Sequence, residues 1–197
     1  MRTIFWGLFL AWIHFTVNLN GAPVELLPAC IGWYVVLKGV RELPPCAERD
    51  GLENPLKVLT ALTAVTWCLN TIGLRDVLGV VSGAFGMLVM CAELYVVWLL
   101  VKLMGAVGKI VSHSLRAAPL YTLWQASAVC TVVAYGMSLT RLLPVVGGVA
   151  AMMFGVAALA AFVITIAMLY QFWQAVKGYE EALAHPVQLL PPGDQED

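Results

Sequence analysis

Charge is scarce in this chain. Asp, Glu, Lys and Arg together make up 12% of its 197 residues, against about 25% in a soluble domain. With 61% hydrophobic residues, it cannot cover its apolar surface with polar side chains, which excludes an ordinary soluble globular domain. No basic run is long enough to track phosphates, so nucleic acid is excluded as a partner. The five Cys (Cys30, Cys46, Cys68, Cys91 and Cys130) stand in different segments with no CxxC. That spacing does not suit zinc, and it reads as five reduced thiols, two or more of them acting as small apolar packers. His14, His113 and His185 lie on separate segments and make no metal motif. GxSxG, HExxH, GxGxxG and Walker sequences are missing, so no enzyme activity and no cofactor is expected.

Hydrophobic runs are plentiful instead. They cover roughly residues 4–19, 24–37, 56–72, 77–101, 119–139 and 145–173. If the N-terminus is cytoplasmic and every run crosses, the inner segments hold Arg2, Lys38, Arg41, Arg49, Lys57, Lys102, Lys109, Arg116 and Lys177. Only Arg75 and Arg141 of the eleven Lys and Arg residues fall outside. Lys and Arg resist translocation, so this asymmetry sets an orientation. The expectation is an all-α, six-transmembrane-helix bundle in a bacterial cytoplasmic membrane, with both termini inside. Residues 1–178 form one membrane domain. Residues 179–197, acidic and Pro-containing, form a disordered cytoplasmic tail.

Local signals refine the boundaries. Arg2 before an apolar run resembles a signal peptide, but Asn20 sits at the −3 position of a cut after Ala22, so an uncleaved first span is expected. Asn54-Pro55 reads as an N-cap followed by Pro at the first helical position, and Pro119 opens the fifth helix in the same way. Gly105–Ala118 mixes apolar residues with Lys109, His113 and Arg116 and suits a short interfacial helix.

An internal repeat marks one end of the even-numbered helices. Leu94-Tyr95-x-x-Trp98-x-x-Val101-Lys102 matches Leu169-Tyr170-x-x-Trp173-x-x-Val176-Lys177, and Trp33-Tyr34-x-x-Leu37-x-x-Val40-Arg41 is a weaker copy. Three duplicated helical hairpins would produce it. So would convergent anchoring, with Tyr34, Tyr95, Trp98, Tyr170 and Trp173 at the interface and Arg41, Lys102 and Lys177 reaching the headgroups. Small residues recur every four positions at Gly147, Ala151 and Gly155, at Ala157 and Ala161, and at Gly79 and Gly83. They suit close helix contacts within the bundle, in a homo-oligomer or with a membrane partner.

Glu93 is the most costly side chain. Nine residues from Lys102, it sits ~14 Å along its helix, where an ionisable group usually faces the bundle interior. His14 lies at a comparable depth on the first run and is a candidate partner. Either a proton- or cation-linked site or a neutral, protonated Glu hydrogen-bonded to a Thr or Tyr satisfies this arrangement. Thr60, Thr63, Thr66 and Asn70 share one face of the third run and suit interhelical hydrogen bonds or a solute path. The outer turns carry Asn18, Asn20, Glu25, Asn70, Arg75 and Arg141, candidate lining for an outward-facing polar vestibule. The first two runs are short for a ~30 Å hydrocarbon core, so their connection, residues 18–27, is expected below the outer surface.

Gly7-Leu8-Phe9-Leu10 and LLPACIGWYVVLKGVREL (residues 26–43) resemble a family of uncharacterised small bacterial multi-pass membrane proteins with an LLPDFIGYILI-like motif. Leu27, Pro28, Ile31, Gly32, Tyr34, Lys38 and Gly39 fit the pattern. Ala29 and Cys30 depart from it, and His14 stands where an acidic residue is expected. The resemblance covers about a quarter of the chain and implies no activity. The functional expectation is a solute-binding or transport component, with a scaffolding or regulatory protein acting through helix or lipid contacts as the alternative.

Overall fold

A computed structural model describes residues 1–13, 16–19, 22–25, 28–73, 80–111, 115–140 and 147–184. Six helices are present among them: α1 (Arg2–Trp12), α2 (Ala29–Arg41), α3 (Ala47–Thr71), α4 (Val80–Ile110), α5 (Ala117–Thr140) and α6 (Gly147–Ala184). Each contains most of one apolar run. Between α1 and α2 stands an antiparallel ribbon of β1 (Thr16–Leu19) and β2 (Ala22–Glu25), with Thr16 opposite Glu25 and Leu19 opposite Ala22.

Three of the helices are long and apolar enough to cross a membrane, over Gly83–Ile110, Ala117–Ala134 and Met152–Ala184. This corrects the six-span expectation. With 11 and 13 residues, α1 and α2 rise only ~16 and ~20 Å, well short of a ~30 Å hydrocarbon core. At 25 residues α3 is long enough, but its first turns carry Glu48, Arg49, Asp50, Glu53 and Lys57.

Other boundaries also move. The first apolar run yields to the ribbon after Trp12, where β-branched Thr16 and Val17 favour an extended backbone. The N-cap of α3 is Cys46, not Asn54, and Pro55 lies inside the helix. Glu48 and Asp50 in the first turn suit the positive end of the helix dipole. No interfacial helix separates α4 from α5 among the described residues; α4 itself continues to Ile110 and Leu115 is buried. Pro119 sits in the first turn of α5, where its missing N–H costs nothing. At the other end of the chain α6 runs on to Ala184, six residues into the segment assigned to the acidic tail.

The core occupies one end of the bundle. Ile4, Leu8, Trp33, Val36, Val40, Leu52, Leu56, Leu59, Leu100, Leu103, Met104, Leu120 and Phe172 are all buried there. This is the end that carries the cations. Arg2 pairs with Glu180, and Thr3 donates to Glu42 Oε2 at 2.7 Å. Arg41 Nη2 and Lys57 Nζ reach the same Glu53 oxygen at 2.5 and 2.9 Å. These contacts join the start of α1, the end of α2, the start of α3 and the end of α6. Arg116 donates to Gln171 Oε1 at 3.4 Å, bringing in the start of α5. Towards the opposite end α4, α5 and α6 outrun the short hairpin, and Met87, Val129, Val132, Met152, Val156, Leu159 and Phe162 are exposed.

The α1–α2 pair is the tightest seam. A Cβ on Gly32 would lie 2.3 Å from the Ala11 nitrogen, one on Gly7 would lie 2.6 Å from the Val36 nitrogen, and one on Gly39 would lie 2.7 Å from the Ile4 nitrogen. The glycines of the segment that carries the resemblance therefore serve helix packing. By contrast, Gly83 and Gly155 of the small-residue repeats face open space.

Candidate functional site

Beyond the packed end, α4, α5 and α6 enclose a cavity of about 180 Å³. Helix α4 contributes Met90, Glu93, Leu94 and Val97 to its wall, and α5 contributes Trp124, Ser127 and Thr131. The wall is completed by Ala161, Thr165 and Met168 of α6 and by Trp12 at the end of α1. Among the described lining residues Glu93 is the one ionisable side chain. Trp124 Nε1 donates to the Leu94 carbonyl at 2.9 Å, pinning α5 to α4 beside Glu93. Thr131 donates to the Ser127 carbonyl at 2.8 Å and Thr165 to the Ala161 carbonyl at 2.9 Å. A hydroxyl whose proton is engaged in this way keeps its lone pairs as acceptors. With the Glu93 carboxyl they make an acceptor-rich site, chemically matched to a cation or a hydrogen-bond donor.

A larger groove of about 710 Å³ runs along the outside of α1 against α6. From α1 it takes Phe5, Trp6, Phe9, Trp12 and Ile13. From α6 it takes Phe162, Thr165, Ile166, Leu169, Tyr170 and Trp173. The Phe5 and Trp173 rings close one end with centroids 5.1 Å apart. Trp12 and Thr165 belong to both the groove and the Glu93 cavity.

The residues singled out in the sequence fare differently. Glu93 faces the cavity, but the polar side chains there come from α5 and α6. Tyr34 is 61% exposed and does not line that cavity. Thr60, Thr63 and Thr66 donate to Leu56, Leu59 and Leu62 carbonyls of their own helix at 2.7, 2.9 and 2.9 Å, so their protons make no interhelical bond. His14, Asn20, Arg75 and Arg141 lie outside the described residues, and with them the depth of the 18–27 connection relative to Arg141. Asn18 and Glu25 are placed in the ribbon by their backbone, opposite Pro23 and Thr16. Asn70 sits in the last turn of α3.

The repeated anchors share local geometry. Lys102 Nζ lies 3.7 Å from the Trp98 ring centroid and Lys177 Nζ lies 5.6 Å from that of Trp173. Tyr95 and Tyr170, like Tyr34, are at least half exposed. Arg41, whose copy lacks the Trp, turns to Glu53 instead. No group of His, Cys, Asp and Glu suited to hold a metal ion occurs among the described residues.

Three apolar helices of spanning length define a membrane protein. No protein-family model, curated protein or solved structure matches the chain.

Proposed function

We propose that this protein is a multi-pass solute-binding or transport component of a bacterial cytoplasmic membrane. The observation that carries the reading is Glu93, an ionisable group on the wall of an intramembrane cavity among α4, α5 and α6. A carboxyl at such depth is costly and usually marks a site, and the neighbouring hydroxyls offer acceptors to the same space. The solute is a small cation or a strong hydrogen-bond donor. Both termini are cytoplasmic in this reading, which requires the 25-residue α3 to cross as a fourth span beside α4, α5 and α6. The short α1–α2 pair enters and returns on one side, and the charge asymmetry is the same whether that pair crosses fully or not.

The test uses the full chain in phosphatidylcholine nanodiscs with tetramethylammonium, guanidinium and choline as probes. Thermal unfolding is followed with and without each cation. A ligand at a hundred times its Kd stabilises the folded state by about 2.7 kcal/mol. At least one probe should raise Tm in the parent protein and fail to do so in Glu93→Gln. No Glu93-dependent shift with any of the three would overturn the reading.

A scaffolding role is favoured by a different observation, the open space beside Gly83 and Gly155. Close helix contact at those positions would bring copies together. Cys at Gly155 in a chain cleared of native Cys would then form a disulfide-linked dimer in membranes; its failure to do so argues against that role.

A further inference from the structure

The cavity and the aromatic groove are adjacent compartments with a common wall of Trp12 and Thr165. One holds a carboxyl and hydroxyl acceptors; the other is lined almost wholly by rings and aliphatic side chains. We propose that the site takes a lipophilic organic cation, with its charge at Glu93 and its apolar part in the α1–α6 groove, arriving sideways from the bilayer past Trp12. The proposal rests on Glu93 being the solute site and names the class of solute.

Charge complementarity selects this occupant. A positive centre near Glu93 meets a carboxyl, acceptor oxygens and the indoles of Trp12 and Trp124, and no Lys, Arg or His lies among the described lining. Indole attracts a cation through its ring quadrupole, more strongly once the cation is desolvated. A strongly hydrated solute would leave the groove unused, since Trp6, Phe9 and Phe162 offer it nothing. A phospholipid meets the opposite difficulty: its phosphate would be repelled at Glu93, and Arg2, near the far end of the groove, is already paired with Glu180. The route follows from the fold. At 11 residues α1 ends at Trp12, so the upper part of α6 has no α1 beside it, and Phe162 and Ile166 are 65% and 53% exposed.

Equilibrium dialysis of the full chain in phosphatidylcholine nanodiscs tests this, with empty discs subtracted. The probes are tetraphenylphosphonium, bulky and apolar, and tetramethylammonium, too small to fill the groove. Glu93→Gln should weaken both at least tenfold. Phe162→Ala, at an exposed position that leaves the core intact, should weaken tetraphenylphosphonium at least threefold and leave tetramethylammonium unchanged. Phe9→Leu should act in the same direction. If Phe162→Ala and Phe9→Leu change neither cation while Glu93→Gln weakens both, the groove is not part of the site, and only the solute reading survives. If Glu93→Gln changes neither cation, the solute reading fails and the present proposal with it. If phosphatidylglycerol in the discs displaces tetraphenylphosphonium from the parent protein but not from Phe162→Ala, the groove belongs to lipid and the proposal is overturned.

Discussion

Adding one methyl group at Gly32 gives the sharpest test of how this bundle is held. A Cβ there would stand 2.3 Å from the Ala11 nitrogen, 2.6 Å from its Cα and 2.7 Å from its Cβ. Two of those atoms are backbone, so relief requires α1 and α2 to separate by about 1 Å. Overpacking of this kind costs about 1–3 kcal/mol, and a clash with a backbone that cannot rotate away belongs at the upper end. Replacing Gly by Ala inside a helix otherwise stabilises by about 0.5–1 kcal/mol, and the clash must exceed that gain. The net expectation for Gly32→Ala is a loss of about 2 kcal/mol, or roughly 30-fold in the unfolding equilibrium. Gly155→Ala, facing open space inside α6, should gain about 0.5–1 kcal/mol from propensity alone. Reversible unfolding in mixed dodecyl maltoside and SDS micelles, followed by near-UV circular dichroism, measures both variants on one scale. Equal effects of the two substitutions would refute the close approach of α1 and α2.

Glu53, held down to about 2 by hydrogen bonds from Lys57 and Arg41, contributes stability that is complete above its ordinary value of 4.5 and lost as pH falls from there through about 2. Glu53→Gln should flatten that part of the stability profile, and an unchanged acid limb in micelle unfolding would contradict the pairing. Trp33 is fully buried, and its Nε1 has no hydrogen-bond partner among the described residues. An unmet buried donor costs about 1–3 kcal/mol, so Trp33→Phe should destabilise by less than about 1 kcal/mol, against about 3–5 for Trp33→Ala. A loss as large for Phe as for Ala would show that the indole N–H is satisfied. For orientation, Cys at Arg49, Lys109 and Lys177, in a chain cleared of native Cys, should be shielded from an impermeant thiol reagent in intact cells. Cys at Asp76 and Arg141 should react, and labelling of the first set in sealed cells would refute a cytoplasmic placement of both termini.

Much of the helical framework is legible in the sequence because apolar runs of this length leave few other options. Their ends are harder to read, because several signals compete. Asn54-Pro55 resembles a helix start, yet Glu48 and Asp50 start α3 two turns earlier and Arg41 reaches Glu53 across the loop. Glu93 was legible as a costly group, but its surroundings were not. Ser127 and Thr131, four residues apart on α5, share a face, and that spacing was the available signal. On a helix apolar all round, periodicity does not reveal which face meets which neighbour. Trp124, which carries no signal of its own in the sequence, ties α5 to the residue beside Glu93. The glycines of the LLPACIGWYVVLKGV segment look like a family signature in the sequence and like a steric requirement in the fold.

The pairing of Arg2 with Glu180 joins residues 178 positions apart, and this bears on how the protein is made. During synthesis α1 can meet α2 within seconds, because about forty residues suffice at 5–20 residues per second. Its other face, Phe5, Trp6 and Phe9, waits for almost the whole chain, since Trp173 and Glu180 emerge near the end. Until then that aromatic strip faces lipid or an insertion factor. The seam between α1 and α6 therefore closes only after α2 to α5 have been made, and a ribosome stalled before α6 would leave α1 packed on α2 with only one wall of the aromatic groove in place.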